Sequence, residues 1–191
     1  MGRKWRQQWT AADSNATAVS VGVGPKVLAA CPGGAAPLPI MLYWQTPDPV
    51  GIWRQLGVDN ATAAFSFCEE APCFILGAEP EDANSAQVRL NNETKALLLL
   101  RFYNQGVPIQ FSFQDYATRK GFEFPGKGIL AVGEQPGVRF SIQWDEINQA
   151  GDAGLYSPEK VNSEYSDGNC GALPPVFQRL RTSFNSIAPG R

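Results

Sequence analysis

The side chains with the greatest chemical potential are four cysteines and three groups of carboxylates, in a chain of 191 residues that holds no histidine. Without imidazole, Ser-His-Asp and Cys-His catalysis are excluded, as is every metal site built on histidine. Cys68 and Cys73 stand in FCEEAPCF, a spacing that matches no zinc knuckle, and Cys31 and Cys170 are isolated. Cys68 and Cys73 flank a short turn, so a cross-hairpin disulfide is geometrically conceivable, but a reducing cytosol favours buried free thiols. The carboxylates cluster at Glu69/Glu70, Glu79/Glu81/Asp82 and Asp145/Glu146. Glycosidase chemistry needs two carboxyls facing each other across a cleft, one with a raised pKa. These lie in turns or at strand ends, where solvated charge is the ordinary explanation. GVGPK at 22–26 lacks the length of a phosphate loop, and DGN at 167–169 is too short for a calcium loop. The reading is therefore no enzyme, no cofactor and no metal.

The elements that would carry these groups are short. The chain has 15 Pro and 19 Gly, which favours strands and turns over long helices. Strands are expected at 17–23, 26–30, 38–45, 50–54, 63–67 and 73–77. A second set is expected at 87–91, 95–101, 107–114, 121–124, 128–133 and 138–145. In the last, Val138, Phe140, Ile142 and Trp144 share one face while Arg139, Ser141 and Gln143 share the other. Residues 94–103 could form a helix, but strand is preferred.

The two sets align without a gap. Val19 falls on Val88, Lys26 on Lys95, Leu28 on Leu97, Pro39 on Pro108, Ile40 on Ile109 and Gln45 on Gln114. This internal repeat predicts an all-β fold of two tandem antiparallel sandwich-like units, or one pseudo-symmetric sandwich, with extended terminal arms. The division is an arm at 1–16, a first unit at 17–78, a linker at 79–86, a second unit at 87–146 and a tail at 147–191. Within the tail, Val176, Phe177, Leu180 and Phe184 recur at helical spacing, predicting a short amphipathic helix near 176–184; residues 147–174 show no usable period.

Both ends are basic, with Arg3, Lys4 and Arg6 at the start and Arg179, Arg181 and Arg191 at the finish, while the 18 acids all lie between. Trp5 and Trp9 would share a face if the arm were helical. Two indoles in a polar segment are costly to leave in water, so they are expected to dock on something. Arg3, Lys4, Trp5, Arg6, Trp9, Val176, Phe177, Arg179, Leu180, Arg181 and Phe184 are accordingly the expected partner contacts. Basic ends suit acidic surfaces or other copies of the chain; nucleic acid is a less favoured partner. No apolar run is long enough for a membrane span, and the first residues lack the apolar core of a secretory signal.

Residues 17–78 carry TAVSV, VLAA, PIMLYW, LGVDNATAAFSF and FILGAE. This series resembles small β-sandwich modules of tailed-bacteriophage virion proteins; residues 87–146 resemble them more loosely. The resemblance implies a non-enzymatic decoration, cement, neck or tail component. It would be made in the host cytoplasm, reside in the virion, form homo-oligomers and contact major capsid, neck or tail subunits. The alternative is a carbohydrate-binding β-sandwich using Trp53 and the loop acids.

Overall fold

A computed structural model of the chain describes residues 4–10, 17–24, 26–31, 39, 43, 48–144 and 151–165. The fold is all-β, with two antiparallel sheets of three and seven strands. The chain divides into two compact units, one of residues 1–42 with 150–191 and the other of residues 43–149. No helix among the described residues is long and apolar enough to cross a membrane.

The first unit holds β1 (Lys4–Thr10), β2 (Thr17–Val23) and β3 (Lys26–Cys31), in that order across the sheet. Residues 4–10 are thus a strand and not a helical arm. Trp5 and Trp9 still share a face, because a strand repeats every two residues. Trp5 stands opposite Gly22, and its Nε1 donates to the Gly24 carbonyl at 2.7 Å. A Cβ on Gly22 would come within 2.3 Å of that indole, so only glycine leaves room for the ring. On the other face, Val19, Val21 and Val161 form a buried cluster, with Ala29 and Tyr165 against it.

Val161 belongs to the helix Pro158–Glu164, which follows a 3-10 turn at Ala153–Tyr156. Ser157 caps it, accepting from the Lys160 amide at 3.1 Å, and Pro158 begins it. A serine cap with proline at the first helical position is a recognised start signal. The segment read as having no usable period therefore contains a helix. The helix expected near 176–184 lies outside the described residues.

The second unit opens with α1 (Pro49–Gln55), where a strand was expected at 50–54. The physical reason is its start: the Asp48 side chain accepts from the Gly51 amide at 2.8 Å, and Pro49 occupies the first position. Seven strands follow as a meander: β4 (Ala63–Cys68), β5 (Ala71–Leu76), β6 (Gln87–Asn91), β7 (Leu97–Asn104), β8 (Val107–Arg119), β9 (Phe122–Val132) and β10 (Val138–Ser141). The strands expected at 121–124 and 128–133 are one strand, β9. Residues 94–103 are largely strand, as preferred. The strand expected at 38–45 lies mostly outside the described residues.

The segment 79–86 does not separate two sheets, because β5 and β6 on either side of it pair directly, with Phe74 opposite Leu90. One face of the sheet carries the core: Val88, Leu100, Phe102, Ile109, Phe111, Leu130 and Val132 are all buried. Tyr43 packs over it with its ring 6.0 Å from both Phe102 and Phe111.

The aligned hairpins of the repeat share their register. Val19 pairs with Cys31 and Ser20 with Ala30 in β2–β3; Val88 pairs with Leu100 and Arg89 with Leu99 in β6–β7. Each hairpin then slips by one residue near the same point, at Val21/Gly22 and at Arg89/Leu90. A bulge of this kind bends a strand and increases its twist.

Candidate functional site

β4 is one edge of the seven-stranded sheet, and its sequence AAFSFC alternates without a charged residue. The side chains of Ala63, Phe65 and Phe67 are exposed; those of Ala64, Ser66 and Cys68 are half-buried. Phe65 is 71% exposed and Phe67 72%, the highest values among the large apolar side chains of the described residues. Phe65 rests on Phe74 across the strand pair, ring centres 5.1 Å apart. Folded chains usually guard a free edge with lysine, proline or a bulge. None of these guards β4.

The backbone of this edge is oriented by its pairing. The Gly77 amide donates to the Thr62 carbonyl at 2.9 Å. In an antiparallel ladder a residue directs both its polar backbone groups to one side, and the next residue directs them to the other. Thr62, Ala64, Ser66 and Cys68 therefore address β5, and Ala63, Phe65 and Phe67 present N–H and C=O groups outward. The Asn92 amide, donating to the Pro72 carbonyl at 2.9 Å, shows that Pro72 addresses β6, in keeping with this alternation.

A two-residue turn, Glu69-Glu70, joins β4 to β5. Glu69 has φ +58°, a left-handed conformation that favours glycine. Cys68 and Cys73 are joined by a disulfide across this hairpin, with Cα atoms 5.6 Å apart, so the free-thiol expectation is corrected. Cys68 opposes Ala71 and Cys73 opposes Ser66, which makes the cysteines diagonal neighbours on one face and within bridging distance. Cys31 is disulfide-bonded too.

That same face carries a polar ladder. Arg89 donates to Gln87 Oε1 at 2.7 Å, Arg101 to Gln110 Oε1 at 2.9 Å, and Gln110 to Ser112 Oγ at 3.2 Å. Gln87 is fully buried and donates to the Asp82 carbonyl at 2.7 Å. Burial, with Arg101 nearby as a second cause, pulls the Arg89 pKa down. A groove of about 360 Å³ runs beside Arg89, lined also by Cys68, Glu69, Leu99 and Gln114.

A second, wider cleft of about 670 Å³ holds Asp59, Glu79, Asp82 and Tyr103. The amide of Ala61 and the hydroxyl of Thr62 hold Asp59 below the usual carboxylate range; the Ser85 hydroxyl and Asn84 amide do the same for Asp82. A general acid for glycoside hydrolysis needs the opposite shift.

The expected contact residues are scattered by comparison. Lys4 is exposed, Trp5 is buried and Trp9 is half-buried. Arg6 is engaged within its own unit: it donates to the Leu155 carbonyl at 3.3 Å and the Tyr165 hydroxyl at 3.4 Å, and lies 3.8 Å from Glu164. Arg3, Val176, Phe177, Arg179, Leu180, Arg181 and Phe184 lie outside the described residues. Trp53 is 5% exposed and its Nε1 donates to the Tyr43 carbonyl at 2.7 Å, so its face is not open for stacking on a sugar. Sequence reasoning places Phe65 and Phe67 in a strand but not at an edge, because AAFSFC carries no local mark of one and its position follows only from the strand order.

No protein-family model, curated protein or solved structure matches this chain. The segments that carry the virion-module resemblance fall in different sheets, with TAVSV and VLAA in β2 and β3, and AAFSF and FIL in β4 and β5.

Proposed function

We propose that this protein is a non-enzymatic structural subunit, of the kind that builds a virion, and that it works by association through β4. The observation that carries this reading is the open edge, where uncharged strand backbone and two phenyl rings over 70% exposed coincide. An edge of this kind templates strand addition by another chain. The Cys68–Cys73 disulfide suits the reading as well, because such bonds persist on virion and cell surfaces. The virion character itself rests on the resemblance within residues 17–78.

The test is purification of the chain from its native source under non-denaturing conditions. The wild type is expected to travel in a large particle, and a Phe65→Lys/Phe67→Lys variant to be lost from it. Recovery of the wild type only as a free monomer overturns the reading, as does undiminished incorporation of the variant.

A further inference from the structure

We infer that the occupant of the β4 edge is a second copy of this chain, paired antiparallel about a two-fold axis at Ser66; this deepens the assembly reading and rests on it. The argument starts from the local palindrome Phe65-Ser66-Phe67. A two-fold interface requires a patch that complements itself. Centring the axis on Ser66 sets Phe65 opposite Phe67 of the second copy, and Phe67 opposite its Phe65. Paired positions then share parity, so all four rings emerge on one face.

The backbone agrees with that register and not with one shifted by a residue. Phe65 and Phe67 direct their N–H and C=O groups outward, as the Thr62–Gly77 bond requires. Opposed residues of this kind exchange both hydrogen bonds of an antiparallel pair. Ser66 addresses β5 and falls where the new ladder makes no bond. An axis placed between two residues would oppose an outward residue to an inward one and break the ladder.

Charge sets the limits of the pairing. β4 has none, and Glu69 and Glu70 follow it. In the two-fold register Glu69 stands beside Ala63 of the second copy, so the acidic turns lie at opposite ends of the paired strands, well separated. Aromatic pairs directly opposed on a sheet are stabilising. Four rings of this exposure bring together roughly 500–600 Å² of apolar surface. That is about half of the ~1,000 Å² expected of a specific interface, with strand backbone supplying more. The expected dissociation constant is therefore micromolar, roughly 1–100 µM.

Sedimentation velocity of the full chain over roughly 1–200 µM tests the pairing. The wild type is expected to pass from monomer to dimer. Phe65→Lys/Phe67→Lys and Phe65→Glu/Phe67→Glu variants, whose circular dichroism should match the wild type because both positions are exposed, are each expected to remain monomeric. An equimolar mixture of the two is expected to dimerise again, since F65K of one chain then opposes F67E of the other. A monomeric wild type, dimers of either single-sign variant as tight as wild type, or no recovery in the mixture each overturn the self-pairing. If the self-pairing fails while the lysine variant is still lost from the native particle, the edge binds a different chain and the assembly reading stands. If the lysine variant also enters the particle normally, both fall.

Discussion

The carbonyl of Thr62 accepts the amide of Gly77 at 2.9 Å, and this bond sets which way every backbone group of β4 faces. From it follows that Phe65 and Phe67 turn their N–H and C=O groups away from β5. Gly77 has φ +91°, and a Cβ there would lie 2.4 Å from the Ala86 carbonyl and 2.7 Å from Val58. The edge and the loop between β5 and β6 are therefore tied through one residue that has to be glycine.

Gly77→Ala is expected to destabilise the chain by roughly 2 kcal/mol or more, combining left-handed strain with a clash against backbone. Denaturant unfolding measures this. A variant as stable as wild type would show that the Thr62–Gly77 contact does not constrain β4.

The disulfide should matter to the same edge. Closing so short a loop is expected to contribute roughly 2 kcal/mol. Cys68→Ala/Cys73→Ala should lose about that much in guanidinium unfolding, with faster amide exchange in the β4–β5 turn, where Glu69 holds its strained φ.

Acid should weaken the loops flanking the sheet. The Asp59 and Asp82 carboxyls are held below their ordinary range by hydrogen bonds, first from the Ala61 amide and the Ser85 hydroxyl respectively. The unfolded chain therefore takes up protons before the folded chain does. Their contribution is present above the unfolded value, about 3.9, and is lost as pH falls through the lowered folded values. The urea midpoint should fall between about pH 5 and pH 3, and fall less in Asp82→Asn.

Removing residues 1–12 deletes β1, not a free arm. Trp5, 8% exposed and bonded to Gly24, leaves with it. Loss of one buried tryptophan alone costs about 3–5 kcal/mol. The truncated chain is expected to lose the three-stranded sheet, seen as reduced strand signal in circular dichroism. A fully folded truncation would show that the first unit does not depend on β1, as expected of an arm that docks on a partner.

Alternation made most of the sheet legible. The Val138–Trp144 pattern appears as expected, with Arg139, Ser141 and Gln143 exposed and their neighbours half-buried, although β10 itself ends at Ser141. The matched hairpins at Val19 and Val88 keep a common register, as the aligned residues implied. What escaped was of two kinds. The helices at Pro49–Gln55 and Pro158–Glu164 are seven residues each, under two full turns, so they show no period and are marked only by Asp-Pro and Ser-Pro starts. Strand order was hidden as well. Nothing local distinguishes β4 at an edge from β7 in the interior, because that depends on pairings made far along the chain. Without strand order, Phe65 and Phe67 could not be recognised as an exposed pair.

Residue-by-residue amide exchange at rising protein concentration tests the edge most directly. In dilute chain, Phe65 and Phe67 should exchange fast while Ser66, whose amide addresses β5, stays protected; on association, Phe65 and Phe67 should become protected with Ser66 unchanged. Fast exchange at Phe65 and Phe67 in the associated form, or protection of both in the dilute monomer, would contradict the account.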